Sequence, residues 1–161
     1  MMDQKIMQDL KVLIFKIVQE EYGIDINQVV SIERMQEIIP YPNRPAYVLG
    51  VTKVREIVIP VFDLRTALTG QYFETTNETR MIIVQVKDNE IGLIVDDATD
   101  VMDIGLKTIQ HPKLFEAKEV SYLKGISKLD NRIIILLDIE ELLEDMTNLD
   151  ELKDLKNDMS L

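Results

Sequence analysis

The side chains that could serve in catalysis or metal binding in this 161-residue chain are mostly acidic, since the chain has no Cys and a single His. Asp96, Asp97 and Asp100 form the densest acidic cluster, in the run "VDDATDV". Carboxylates this close together could bind a divalent cation or work as an acid–base pair. However, their spacing matches no calcium loop, and carboxylates in turns are usually solvated. A small acidic β-domain with a metal-binding or hydrolytic site is therefore the alternative hypothesis, and calorimetry with divalent ions would test it.

Nucleophilic catalysis and phosphate binding find no support in the sequence. His111 stands beside Pro112 in a loop-like stretch, and without Cys or a second His neither a Cys–His pair nor a His-rich metal site can form. The glycines form neither G-x-x-x-x-G-K-[ST] nor G-x-G-x-x-G. We therefore expect a protein that works by binding, with no enzymatic activity and no cofactor.

A candidate binding residue lies in an unusual turn. The run "GVTKVREIVIPVFDLR" contains two apolar strands with only Arg55 and Glu56 between them. So short a turn normally uses Gly, Asn or Asp, because its central residues need positive φ. The planar arginine fork suits pairing with a carboxylate on a partner. From the residues alone, a solvated turn and a partner contact both remain open.

The overall charge excludes two classes of partner. Nucleic acid and anionic membranes require clustered cations, whereas the net charge is −11. Residues 1–75 carry 8 basic and 10 acidic side chains, and residues 76–161 carry 10 and 19, so the first half is the better candidate to contact an acidic partner. No apolar run is long enough to span a membrane, and the first residues do not have the pattern of a signal peptide. With no Cys as well, a cytoplasmic protein is the simplest expectation.

The elements that position these residues occur twice. Shifted by 75 positions, Gly50–Val54 aligns without a gap with Gly125–Leu129. Shifted by 69 positions, Leu13–Ile24 aligns with Ile82–Leu93. We therefore predict an internal duplication in which each half contains a hairpin, a third strand, a loop, a second hairpin and a short helix.

Runs of β-branched residues bounded by turn signals predict ten strands. Continuously apolar runs such as "RIIILLD" are typical of strands that are buried on both faces or closed into barrels, and Pro60 predicts an edge strand or a bulge. The architecture expected is mostly β, with two small five-stranded barrels side by side. The predicted strands are Lys11–Val18, Tyr22–Ile26, Val30–Met35, Val48–Val54, Ile57–Phe62, Met81–Lys87, Glu90–Val95, Thr99–Ile104, Leu123–Leu129 and Arg132–Leu137.

Short helices are predicted after the second hairpin of each half. Asp63 and Asp138 each precede a helical pattern and are good N-cap residues. Asn148, with Glu151 three residues later, forms a capping-box pattern that opens a C-terminal helix. Its narrow apolar stripe could pack on its own barrel or on a partner.

Four stretches of the chain resemble the CheW family of bacterial chemotaxis coupling proteins. They are "YGIDINQVVSIERM", "YVLGVTKVREIVIPVFDLR", "IGLIVDDATDVMDI" and "YLKGISKLDNRIIILLDIEELL". The likeness runs from roughly Lys11 to Asp145 in the family's order. Its strongest part is the family pattern G-V-x-N-L-R-G-x-x-x-P-x-x-D-L-R, which begins here at Gly50. The chain departs from that pattern at Lys53-Val54, in place of Asn-Leu, and at Glu56, in place of the second Gly.

The resemblance implies two intertwined small β-barrels in a domain over residues 1–147, with a boundary near 70–80 and an acidic C-terminal helix or tail over 148–161. It also implies a non-enzymatic scaffold that couples the cytoplasmic tips of chemoreceptors to the histidine kinase CheA. The regulatory domain of that kinase resembles the same fold, so kinase and adaptor could pair barrel to barrel. Such a protein would be cytoplasmic, recruited to receptor clusters at the inner face of the membrane, without nucleic acid and without membrane insertion.

The resemblance further implies which residues contact the receptor or the kinase. These are Arg55, Val29, Ser31, Ile32 and Gly50, the last as a position where only a bare backbone fits. Asp63 also matches the family pattern, but we interpret it as a helix cap. If the family's second Gly serves a positive φ, Glu56 carries a steric cost of about 1 kcal/mol or more.

Overall fold

The computed structural model describes residues 9–111 and 121–146, and this part of the chain forms eleven β-strands and two α-helices. The helices are α1 Leu64–Thr69 and α2 Ile139–Met146. The strands are β1 Asp9–Ile17, β2 Glu20–Asp25, β3 Val29–Arg34, β4 Val48–Val54, β5 Ile57–Asp63, β6 Arg80–Val86, β7 Asn89–Val95, β8 Asp97–Gly105, β9 Ile109–Gln110, β10 Leu123–Leu129 and β11 Arg132–Leu137.

The strands form two sheets, so the prediction of two β-subdomains is confirmed. Sheet A has the order β8-β1-β2-β11-β10-β9, and sheet B has the order β3-β6-β7-β5-β4. Sheet A therefore has six strands where five were predicted, and the pairing of the described strands closes neither sheet into a ring. The chain passes from sheet A to sheet B between β2 and β3 and returns between β7 and β8, so the two subdomains are intertwined. The stretch 70–79 connects two elements of the sheet B half, α1 and β6.

The two sheets repeat one plan of strand pairing. In sheet A, β11 runs parallel to β2 with Leu136 opposite Gly23. In sheet B, β5 runs parallel to β7 with Val61 opposite Gly92. Val61 and Leu136 are 75 positions apart, and Gly23 and Gly92 are 69 apart, which are the shifts that align the sequence. The duplication predicted from the sequence is thus also a duplication of register.

All ten predicted strands are present, with ends that differ by a few residues, and one strand was missed. Strand β9 has only two residues and pairs with β10, too short to give an alternating pattern. Of the two alternatives predicted at Pro60, the edge strand is wrong, because β5 lies between β7 and β4. The pairing of β4 with β5 does have a register shift, between Val48 and Gly50, opposite the residues that follow Pro60. Pro60 is tolerated there because the pairing of β5 with β7 begins one residue later, at Val61.

Among the described residues, three apolar cores hold the fold together. The largest joins the sheets and includes Leu13 and Phe15 of β1, Ile82 and Val84 of β6, and Leu143 of α2. A second core contains only sheet B residues among its buried members, and a third contains only sheet A residues. Each fully buried side chain of this size stabilises the fold by about 1.5–3 kcal/mol. Strands such as β1 contribute alternate residues to two cores, which explains their continuously apolar sequences.

Both predicted helix caps are confirmed. The Asp63 carboxylate accepts a hydrogen bond from the Arg65 backbone N–H at 3.0 Å, and the Asp138 carboxylate accepts one from the Glu141 N–H at 3.2 Å. Gly70 ends α1 with φ of 75°, a left-handed conformation that suits glycine. The predicted helix or tail over 148–161 lies outside the described residues.

Candidate partner interface

Arg55 occupies the turn between β4 and β5, with φ of 50°, and Glu56 follows with φ of 66°. The expectation that this turn needs positive φ at its central residues is therefore confirmed. The Arg55 side chain is half-exposed, and its Nη2 donates to Oε1 of Glu90 on β7 at 2.9 Å. The Glu56 carboxylate lies 3.0 Å from the Lys53 Nζ. Arg55 thus has an internal partner as well as exposed surface.

The Arg55–Glu90 pair has a counterpart in sheet A. Arg132, just after the β10–β11 turn, donates from Nε and Nη2 to Oε2 of Glu21 at 3.0 and 2.8 Å. Glu21 and Glu90 occupy equivalent positions of the repeat. The hydrogen bond to Glu21 is the main cause that raises the pKa of Arg132, with a further contribution from Asp100. In sheet B an arginine thus anchors the β4–β5 hairpin to the β6–β7 hairpin, and in sheet A an arginine anchors the β10–β11 hairpin to the β1–β2 hairpin. Part of the role of Arg55 is therefore structural.

Three of the predicted contact residues lie on β3, an edge strand of sheet B. A register shift places Val29 opposite Val84 and Ile32 opposite Ile82, on the face of the core between the sheets. Val29 is partly buried, whereas Ile32 lies at the margin with 44% of its surface exposed. Ser31 faces the other way, and its buried Oγ has no hydrogen-bond partner among the described residues.

An exposed valine in sheet A matches Ile32. Val101 on the edge strand β8 pairs opposite Leu13, and it is 49% exposed. Val101 lies 69 positions after Ile32, and Leu13 lies 69 positions before Ile82, so the two pairings are equivalent. Val101 was not predicted from the sequence, although the shift of 69 positions that revealed the duplication identifies it.

The two edge strands both contact β6. Strand β6 pairs with β3 and also contacts β8 across the interface between the sheets. Val30 and Ile32 of β3 and Val101 of β8 are exposed apolar side chains, and these three residues are here called the edge patch. Exposed apolar side chains that form a contiguous patch mark sites of protein–protein interaction, which makes these three residues candidates for contact with a partner.

Gly50 lies against the chain's own backbone. Its φ is 141°, and a Cβ built there would lie 2.1 Å from the carbonyl oxygen of Ile39 and 2.8 Å from Cα of Pro40. Residue 39 pairs with Val51 in an isolated bridge that extends sheet B beyond β4. The bare backbone expected at Gly50 is thus required by an internal contact, and the structure does not bring Gly50 onto the edge patch.

The acidic cluster does not form a common site. The Asp96 carboxylate accepts hydrogen bonds from the Arg65 side chain and from the Val18 backbone N–H. The Asp100 carboxylate accepts one from Thr99 and lies 3.6 Å from the Arg132 guanidinium. Among residues 9–111 and 121–146, no three His, Cys, Asp or Glu side chains are grouped to hold a metal ion. The carboxylates of Asp96 and Asp100 are engaged in structural contacts, so nothing in the described residues favours the hydrolytic or metal-binding alternative.

Comparisons with known proteins agree on one family. Residues 11–147 match the family model described as CheW-like domain. The chain is 35% identical over 135 residues to a chemotaxis protein CheW of Bacillus subtilis, covering 83% of this chain and 86% of that protein. It is 33% identical over 132 residues to a chemotaxis protein CheW of Klebsiella aerogenes, covering 81% and 80%. None of the described helices is long and apolar enough to cross a membrane.

A solved structure has the same fold. The crystal structure of the scaffolding protein TtCheW from Thermoanaerobacter tengcongensis superposes with a TM-score of 0.76 at 29% identity. The alignment covers 84% of this chain and 93% of that one. The similarity therefore includes both sheets and extends over nearly the whole of the solved protein.

Proposed function

Because the chain belongs to the CheW family of non-catalytic chemotaxis scaffolds, we propose that it couples the cytoplasmic tips of chemoreceptors to the histidine kinase CheA. In this role it binds both partners and holds them in a fixed geometry, without catalysis and without a cofactor. It acts in the cytoplasm, at receptor clusters on the inner face of the membrane.

The observation that carries the proposal is the edge patch. Ile32 and Val101 are exposed although they continue the core between the sheets, and each would be buried by an apolar partner lying along the margin. An amphipathic helix laid on such a surface buries residues at helical spacing. We assign this surface to the receptor tip, with Val29 and Ser31 supporting it from the same strand.

Arg55 is the second proposed contact. Its bond to Glu90 uses the Nη2 nitrogen, and half of the side chain remains exposed at the end of a hairpin. A guanidinium carries five N–H donors, so it can hold an internal carboxylate and still pair with a carboxylate of the kinase or the receptor. Gly50 supports this hairpin from within sheet B, so its part in binding is indirect.

The proposal is tested with Ile32→Glu, which places a charge on the edge patch. The matched control is Tyr72→Glu, because Tyr72 is an apolar side chain with 84% exposure in the loop before β6. Binding to receptor-tip fragments and binding to the kinase are titrated separately, and receptor-dependent kinase autophosphorylation is measured in a reconstituted mixture. We expect Ile32→Glu to lose receptor binding and coupling, with the control unchanged. Full coupling by Ile32→Glu would overturn the assignment of the edge patch.

A further inference from the structure

A buried arginine lies where the two sheets meet. Arg65, in the first turn of α1, is 2% exposed. Its Nε and Nη2 donate to the two carboxylate oxygens of Asp63, each at 3.0 Å. This bidentate pair fixes the plane of the guanidinium relative to the end of β5.

The remaining edge of the guanidinium points to the other sheet. Its Nη1 donates to Oδ1 of Asp96 at 3.0 Å and to the backbone carbonyl of Glu74 at 3.2 Å. The Cζ atom of Arg65 lies over the Phe73 ring, 5.3 Å from the ring centroid. The loop that follows α1 thus covers the cation, and its position is specified by directional contacts on three sides.

Asp96 is the residue at which the chain leaves sheet B for sheet A, between β7 and β8. Its backbone N–H donates to the Lys16 carbonyl at 3.0 Å, and its Oδ2 accepts from the Val18 backbone N–H at 2.7 Å. Both acceptor and donor belong to the β1–β2 hairpin of sheet A. One aspartate is therefore bonded to sheet A by two hydrogen bonds and to the sheet B half by an ion pair with Arg65.

The electrostatics keep this link charged. Burial acts to lower the pKa of Arg65, but the hydrogen bonds that Arg65 donates to Asp63 and Asp96 outweigh it and raise the pKa. An ion pair removed from water is less screened by salt and more sensitive to geometry than one on the surface.

We infer that the Asp63–Arg65–Asp96 cluster is a positioning element that sets the orientation of sheet A relative to sheet B, and with it the spacing of Ile32 and Val101 across the edge patch. Its effect on the sheets stands on the geometry alone. Its effect on coupling rests on the proposed function.

The test uses Asp96→Ala, since Asp63 still balances the charge of Arg65 in this variant. The chain has no Cys, so spin labels can be placed on cysteines introduced at Lys53 and Lys128. These exposed positions are equivalent in the repeat and lie on β4 of sheet B and β10 of sheet A. The distance distribution between the labels is measured by pulsed electron paramagnetic resonance. We expect Asp96→Ala to broaden or shift the distribution at a temperature where circular dichroism shows native structure.

The matched control is Asp100→Ala, which removes a carboxylate from the same acidic run, "VDDATDV". The contacts of Asp100 stay within sheet A. Asp96→Asn, which keeps one acceptor oxygen, replaces the other by an NH2 donor and loses the charge, should give an intermediate distribution and decides the case if the alanine variant does not fold. A distribution identical to that of the parent, or equal broadening in Asp100→Ala, would overturn the inference, since a merely stabilising pair lowers the unfolding midpoint without altering the folded distance.

The link to coupling is measured in the same variants. We expect Asp96→Ala to bind receptor tips and kinase separately but to give reduced receptor-dependent autophosphorylation. An altered distance distribution with undiminished coupling would contradict that link and leave the proposed function intact, because the proposed function depends on the Ile32→Glu result.

Discussion

Two ion-paired junctions between the halves, both within the described residues, follow one plan but use different chemistry. At the first, Arg65 of α1 reaches Asp96, which is bonded to the β1–β2 hairpin of sheet A. At the second, Lys87 in the β6–β7 turn of sheet B contacts Glu140 and Glu144 of α2, which follows the last strand of sheet A. Glu140 occupies the position that corresponds to Arg65 in the repeat.

The junctions differ chiefly in their exposure to water. The Arg65 side chain is 2% exposed, whereas that of Lys87 is 50% exposed. The hydrogen bond to Glu144 is the main cause that raises the pKa of Lys87, but solvent and salt screen a pair of this kind. A duplicated backbone has thus kept its strand pairing while its two junctions diverged, one into a directional buried link and the other into a weak surface one. We therefore propose that the ion pairs of the first junction, rather than those of the second, orient the sheets.

The first test of this contrast removes the buried cation. Arg65→Met leaves Asp63 buried and Asp96 without its ion pair, and we expect the free energy of unfolding to fall by about 3–5 kcal/mol. Urea unfolding followed by circular dichroism measures the change.

The control is Lys87→Met at the exposed junction, where we expect the midpoint to stay close to that of the parent. Equal losses in the two variants would mean that the junctions contribute alike and that the comparison fails.

The contrast between the junctions also shows what the sequence could predict. Periodic runs and turn residues were sufficient for ten strands and for the caps at Asp63 and Asp138, because these features depend on local chemistry. The shift of 69 positions could also have located Val101, the counterpart of Ile32. The apolar run "RIIILLD" was less informative about burial on both faces of the strand, since Ile133 within it is 58% exposed.

The buried cluster could not have been found in this way. Asp96 is 31 positions from Arg65 and 78 from Val18, and no periodicity relates them. Which strands share a sheet is equally non-local, because β2 pairs with β11 from the far end of the chain. The sequence therefore indicated that Arg55 was unusual but could not show that Glu90 would pair with it.

The hairpin arginines extend the comparison to function. Arg55→Asp and Arg132→Asp each replace a pair with Glu90 or Glu21 by a repulsion, so we expect similar small losses of stability. Of these two arginines, only Arg55 is a proposed partner contact. Truncating one member of a buried charged pair at an interface costs about 2–5 kcal/mol, so we expect Arg55→Asp alone to weaken partner binding on that scale.

Titration of both variants against the kinase and against receptor tips measures this difference. If Arg55→Asp couples as well as Arg132→Asp, the β4–β5 turn is only a structural anchor.

Gly50 and Gly125, each at a register shift between the two strands of a hairpin, give a smaller contrast. At Gly50 an added Cβ would meet the Ile39 backbone at 2.1 Å, whereas at Gly125 it would meet first the Ile109 side chain at 2.4 Å. Both positions have positive φ, but a side chain can move more easily than a backbone. We expect Gly50→Ala to cost about 1–3 kcal/mol or more, and Gly125→Ala to cost less. Thermal melts of the two variants under one buffer would rank them, and the reverse order would show that the segment at Ile39 yields readily.

The smallest expected effect concerns the turn residue that departs from the family pattern. Glu56 has φ of 66°, so Glu56→Gly removes a steric strain that outweighs the exposed contact with Lys53. We expect a gain of about 0.4–1 kcal/mol in unfolding free energy. The matched variant is Asp130→Gly in the β10–β11 turn, where φ is 51°. Asp tolerates the left-handed region better than Glu, so its gain should be smaller. Denaturant melts of both variants decide the point, and a lower midpoint for Glu56→Gly would mean that the β4–β5 turn carries no strain, since chain entropy alone would then dominate the change.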